Sequence, residues 1–214
     1  MVTVSAGPAW TSSGESQTFY LQPLIKKTYV ADKSTGTIVD GELFLGIRRS
    51  LNARLEGQFG IAVAAASNAK QSGDIWENAS PNFNNFFYAY KINHEHVAVK
   101  GKVLADINQM VQPYVSGSLG VGLNRAHNFS ITPKIYEEIP PPAFQSNTTT
   151  AFTYTVGLGL QKAFNSHWQA GVGYEFADWG QSSLARAPNQ TLGSGLKLSH
   201  VYTNQLQFSL SYLA

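Results

Sequence analysis

Residues 150–180 limit the choice of fold more than any other stretch. Phe152, Tyr154, Val156, Leu158 and Leu160 alternate with Thr153, Thr155, Gly157, Gly159 and Gln161. After a short polar turn, Trp168, Ala170, Val172, Tyr174 and Phe176 alternate with Gln169, Gly171, Gly173 and Glu175. A period of two is that of a strand with unlike faces. Each run has about 10 residues, the length with which a tilted strand crosses a bilayer. The pair reads as a hairpin of a membrane-spanning barrel, greasy face to lipid.

Composition agrees with a chain that spends few charges. Charged residues make up 13% of 214, against roughly 25% in soluble domains. A net charge of +2 gives no nucleic-acid footprint. Cysteine is absent, so disulfides, thiolate metal sites and thiol chemistry are excluded. No run of 18 apolar residues marks a transmembrane helix. The start, Val2-Thr3-Val4-Ser5, has no signal-peptide pattern, so the chain is expected to be a mature exported form.

The same alternation recurs along the chain. It predicts strands over about 2–10, 41–49, 54–66, 86–105, 111–124, 151–161, 168–176 and 205–212, the fourth with its membrane part at 97–105 and its earlier part standing above the membrane. Pro8 suggests a strand end or bulge. Before Val97 the phase of the apolar residues changes, Tyr88, Tyr90 and Ile92 against Val97, Val99 and Val103, and a β-bulge between Lys91 and Val97 would account for it. The expected fold is all-β: an eight-stranded antiparallel up-and-down transmembrane β-barrel, one domain over residues 1–214. Long links at about 11–40, 67–85, 125–149 and 181–195 alternate with short turns, including 106–110, which places all long loops on the outer side. An extended run at 18–31 could carry short strands within the first loop.

Alternation alone does not say which face looks inward; volume does. The bulky side chains are too many for the interior of so small a barrel, which is just filled by side chains. The Gly, Ser, Thr and Gln face must therefore line the lumen. Trp10, Tyr154, Trp168, Tyr174, Phe176 and Tyr212 fall near strand ends and are expected to form aromatic girdles. Glu42, Arg48, Arg54, Glu56, Lys100, Lys102 and Glu175 fall on the lumen face and are expected to form a mixed-sign network.

The segment VGLGLQKAFNSHWQAGVGYEFADWG resembles the penultimate hairpin of small outer-membrane barrels of the OmpA/OmpX/opacity type. The C-terminal Leu206, Phe208, Leu210 and Tyr212 resemble that family's assembly signal, although Leu213 and Ala214 follow the aromatic. The resemblance implies residence in the bacterial outer membrane as a monomer, without cofactor. It also implies contact with membrane lipid and lipopolysaccharide, delivery by the outer-membrane insertion machinery, and a host or surface ligand reached through the loops.

Chemistry-bearing motifs are sparse. Gly117-x-x-Gly120-x-Gly122 precedes no helix-forming segment and reads as lumen glycines, not a nucleotide loop. His94-Glu95-His96 offers two ligands on one face and no third in view, so no metal site is expected. No histidine is followed two residues later by serine, as it is in one family of barrel lipid hydrolases. The expected function is a non-enzymatic barrel whose loops make structural or adhesive contacts. The alternative is a narrow OmpW-like channel for small apolar molecules, with Phe44 and Ala62 as inward candidates. An enzyme using His200 on lipid ranks third.

Overall fold

The computed structural model describes residues 1–12, 14–33, 36–106, 111–136 and 138–213. Twelve strands are assigned among them: β1 (Val2–Thr11), β2 (Gln17–Gln22), β3 (Ile25–Ala31), β4 (Gly36–Ser50), β5 (Leu55–Glu77), β6 (Asn84–Ala105), β7 (Gln112–Pro133), β8 (Asn147–Ala163), β9 (Trp168–Asp178), β10 (Ser182–Ser183), β11 (Lys197–Leu198) and β12 (Tyr202–Tyr212). Ten lie in one antiparallel sheet, in the order β2-β3-β5-β4-β1-β12-β9-β8-β7-β6. β5 also pairs with β6 along most of its length, so the ladder returns on itself. β10 and β11 form a separate two-stranded sheet.

This corrects the expected eight-stranded up-and-down barrel. The sheet has ten strands, and its order is not that of a simple meander. The additional pair, β2 and β3, comes from the stretch 11–40, expected to be a loop with an extended run at 18–31 that could carry short strands. Its cause is the length of β5. That strand has 23 residues, and β4 pairs with it only as far as Ala66. The unpaired edge beyond is taken by β3, in register from Lys27 opposite Glu77 to Ala31 opposite Gly73. Covering an exposed strand edge satisfies its N–H and C=O groups.

The other long links shorten for the same reason. β5, β6 and β7 run on past the membrane-crossing length, to 22 or 23 residues each. The expected loop 67–85 reduces to 78–83, and 125–149 to 134–146. The link around 181–195 spans 179–201 and carries β10 and β11. Of the expected turn at 106–110, only Asp106 falls among the described residues.

The phase change in β6 has a different origin from the bulge first inferred. The strand alternates without a break: Tyr88, Tyr90, Ile92, His94, His96, Ala98 and Lys100 are all buried. What changes is which face is greasy. Below Glu95, Val97, Val99 and Val103 point outward and are exposed. Above it, the outward residues include Lys91 and the apolar ones turn inward. A wall surrounded by lipid carries its apolar groups outside, and one surrounded by water carries them inside. Bulges do occur elsewhere: β6 itself has one at Asn85, near its start, β5 has an extra residue between Ala66 and Ala69, and β7 between His127 and Ser130. Asn128 takes the left-handed conformation, φ 56°, within the second. Pro8 sits in mid-strand, where the β1–β12 ladder is interrupted while pairing to β4 continues.

Around the barrel the outward band is apolar: Val4, Leu45, Ile47, Phe59, Ile61, Leu119, Phe152, Leu158 and Phe208 are all more than half exposed. Contiguous exposure of this kind in water would be an aggregation hazard; in a bilayer it is the solvated surface.

Candidate functional site: the barrel interior

The interior is built in layers. The central one is ionic. Lys100 of β6 donates to both carboxylate oxygens of Glu42 on β4, each at 2.8 Å, and to Oε2 of Glu175 on β9, also at 2.8 Å. All three residues are buried. Glu175 further accepts from Gln207 at 3.3 Å, and Gln207 donates to Gln205. Lys102 donates to Gln161 at 3.3 Å and lies 4.3 Å from the Tyr114 ring centroid. Neighbouring hydroxyls close on each other, Thr3 with Ser211 at 2.8 Å and Ser118 with Thr155 at 2.9 Å. The space left beside this cluster is about 20 Å³, roughly room for one water.

The remaining expected lumen charges lie elsewhere. Arg48 and Glu56 form an ion pair and are each about one-quarter exposed. Arg54 is exposed, just before β5, where its N–H donates to Asn52 Oδ1 at 2.8 Å. The structure thus brings Glu42, Lys100 and Glu175 into one cluster and Arg48 with Glu56 into a second.

Above the ionic layer is a shelf of rings. His94 stacks on Trp179 with centroids 4.2 Å apart. Asn124 donates its amide to the carbonyls of Trp179 and Gln181, so its oxygen is the acceptor facing His94 Nδ1 at 2.7 Å. His94 is therefore the Nδ1–H tautomer, and its Nε2 accepts from His96 Nδ1 at 2.9 Å. The backbone that brings Trp179 across the mouth turns at Gly180, φ 72°, where a Cβ would stand 2.6 Å from the Phe152 carbonyl oxygen.

The outermost layer is aromatic: Phe19, Tyr29, Tyr88, Tyr90, Phe129 and Phe144 pack at centroid distances of 4.9–6.4 Å. Burial pushes the hydroxyls of Tyr29, Tyr88 and Tyr90 well above the usual phenol range, so they stay protonated. A cavity of about 140 Å³ opens beside this layer, lined by the apolar Leu21, Ile25, Pro141, Pro142, Ala187 and Pro188 and by the polar Gln22, Lys27 and Gln190. Leu21 and Ala187 belong also to the aromatic core. Sequence reading missed this layer. Its signal was present in Tyr88-x-Tyr90-x-Ile92, which was taken for a bulge instead of an inward apolar face. Phe44 and Ala62, the apolar inward candidates, are buried near the ionic layer.

On the outer wall, Trp10, Tyr154, Tyr174 and Phe176 lie toward one end of the apolar band, with Tyr154 6.4 Å from Phe176. Trp168 and Tyr212 lie at the other end, 5.2 Å apart. Leu206, Phe208, Leu210 and Tyr212 share the outward face of β12. His200 meets the buried Asp178 at 2.7 Å, with no seryl or threonyl hydroxyl bonded to its ring among the described residues. No group of three His, Cys, Asp or Glu able to hold a metal is found among the described residues.

An apolar outer band around an interior that holds a buried ion cluster defines a transmembrane β-barrel of the Gram-negative envelope. The chain belongs to the family of outer membrane proteins with a β-barrel domain, whose family model matches residues 1–212; it resides in the bacterial outer membrane and carries surface loops. No curated protein matches its sequence. Among solved structures, OprG from Pseudomonas aeruginosa is 14% identical, with 100% of this chain and 96% of that chain covered and a TM-score of 0.54. The outer membrane protease OmpT from Escherichia coli is 7% identical over 99% and 96%, with the same TM-score. These likenesses concern fold. The outer-membrane family thus stands, while the expected eight-stranded subtype gives way to the ten-stranded sheet.

Proposed function

We propose that the protein admits small apolar molecules at its outer end and releases them sideways into the membrane. The observation that carries this reading is the order of the interior layers. A cavity of about 140 Å³ beside an aromatic core stands above an ionic floor. A cavity of this size has room for a molecule such as benzene, and six of its nine lining residues are apolar, with Lys27 held by Glu77. A buried ion cluster rejects the same molecule, because displacing its partners would leave charges unpaired. Passage straight through is closed to apolar solutes, which leaves the wall.

The test is transfer of toluene into vesicles reconstituted with the protein, alongside planar-bilayer conductance. Toluene flux with almost no ion current is expected, and Leu21→Arg should abolish the flux while leaving the folded barrel intact. Steady ion conductance, or flux indifferent to Leu21→Arg, would refute the reading.

A second reading, contact with an external surface through the loops, is favoured by Leu24, Tyr136 and Ile139, which are about nine-tenths exposed on outer links. Replacing these three with serine should weaken adhesion to a cell or matrix surface without altering toluene flux. Within either reading, the outward aromatics act as interfacial girdles, and the outward face of β12 is what the insertion machinery reads.

A further inference from the structure

Just above the apolar band, three strands place cations side by side. Lys70 of β5 is directly opposite Lys91 of β6, and Lys91 is directly opposite His127 of β7. Arg125 lies two residues nearer the membrane on β7, opposite Asn93. Lys70, Lys91 and Arg125 are exposed and point outward. Among the described residues none of the three is in an ion pair. His127 Nε2 meets Asn68 Oδ1 at 3.0 Å. Like charges directly opposite across strands are destabilising, so the arrangement costs stability unless an anion lies over it.

Height identifies the anion. Leu123, 47% exposed, is the last large lipid-facing apolar residue on β7. Arg125 and His127 stand two and four residues beyond it. At about 3.3 Å per residue along a strand tilted by about 40°, that is roughly 5 and 10 Å above the apolar edge. Lysine and arginine stems reach back toward the membrane from above. Headgroup phosphates occupy this layer, and a phosphate oxygen fan can accept from lysine and arginine together. Glu95, outward and opposite Leu123, sits at the band's edge below the row, and Asp74 is held by Lys134 and Asn84. Asp32 accepts from Ser72 Oγ at 2.6 Å and, among the described residues, makes no ion pair with Lys70, so none of these carboxylates covers the row.

We propose that Lys70, Lys91 and His127, with Arg125 below, form a phosphate-binding face for the headgroups of outer-leaflet glycolipid. The paired lysines are then a recognition element on the wall of the barrel, separate from its interior. Bound phosphate screens their repulsion and fixes the lower edge of the outer extension against the membrane.

Thermal unfolding of the whole protein tests this in phosphatidylcholine vesicles containing either bis-phosphorylated lipid A or the same lipid with its phosphates removed. The wild type should melt several degrees higher with the phosphorylated form. Lys70→Gln/Lys91→Gln should lose that increment while melting no lower than wild type in phosphatidylcholine alone, which also shows that the variant folds. A control, Lys26→Gln/Lys33→Gln, should keep the increment. The proposal fails if the double variant at 70 and 91 keeps the full increment, if dephosphorylated lipid gives the same shift, or if inorganic pyrophosphate reproduces it without lipid.

Discussion

Replacing Lys100 with methionine removes the cation to which, among the described residues, both Glu42 and Glu175 bond at 2.8 Å. Of their other charged neighbours, Lys102 donates instead to Gln161 and Asp40 is a further buried acid. Three charge-assisted hydrogen bonds disappear at once. Two carboxylates are left facing each other in a space with room for about one water. Breaking a buried ion pair from one side costs about 3–5 kcal/mol, and here one deletion orphans two partners, so the upper end of that range is expected. Glu175→Gln should cost much less, because Lys100 keeps both oxygens of Glu42. The triple variant Glu42→Gln/Lys100→Met/Glu175→Gln should recover part of the loss, since neither former carboxylate needs a cation, while Lys102 and the buried Asp40 remain nearby. Urea unfolding in vesicles, followed by tryptophan fluorescence, measures all three. If Lys100→Met lies within about 0.5 kcal/mol of wild type, the size of an ordinary surface substitution, the cluster is not an ionic seal.

Other expectations follow from separate regions. Burial raises the Asp74 carboxyl, but hydrogen bonds from Lys134 and Asn84 outweigh it and hold the group below the usual carboxylate range. A depressed carboxyl contributes stability that is present above its unfolded value, about 3.9, and lost as pH falls through its folded value. Amide exchange over residues 72–88 should therefore quicken below about pH 4, and Asp74→Asn should exchange faster at neutral pH with little further change on acidification; an unaltered profile would count against the pair. Gly60→Ala places a Cβ 2.1 Å from the Leu45 carbonyl oxygen, and overpacking should cost about 1–3 kcal/mol by urea titration. Phe59→Lys, in the lipid-facing band, should cost about 2–4 kcal/mol near the midplane, against less for Phe87→Lys on the outer extension, where the loss is the ring's contact with Lys134 Nζ, 4.1 Å from its centroid.

The membrane half of the fold was legible because lipid imposes one rule on every strand that crosses it. The runs at 150–180 became β8 and β9 with their faces as read, and Glu42, Lys100 and Glu175, far apart in sequence, fell on lumen positions by parity alone. The outer half was not legible by that rule, since its surroundings are water. Tyr88 and Tyr90 alternate in the same phase as Lys100, and only a change of solvent reconciles an inward tyrosine with an inward lysine. The strands β2 and β3 were legible as an extended run at 18–31, but their hairpin and its place in the sheet were not, for another reason. Its turn passes Pro23 and Leu24, and Leu24 adopts φ 68° without being glycine or asparagine, so the usual turn signature is missing. Its docking site, the edge of β5 beyond Ala66, is set by a length difference between two strands distant from it in sequence. Trp179 reaches the shelf through a backbone turn that no periodicity records.

The exchange of faces along β6 also sets how deep the molecule rides. An unbroken strand whose greasy side passes from outside to inside at Glu95 carries a waterline in its own sequence. Sliding that point by two residues would move the line by about 7 Å along the strand, a large fraction of the slack a bilayer tolerates before it must thin or thicken at a cost of fractions of a kcal/mol per Å. Immersion depth is thus written in the order of side chains on one strand. Membranes of different thickness would be sorted by it without any change to the lumen or the loops.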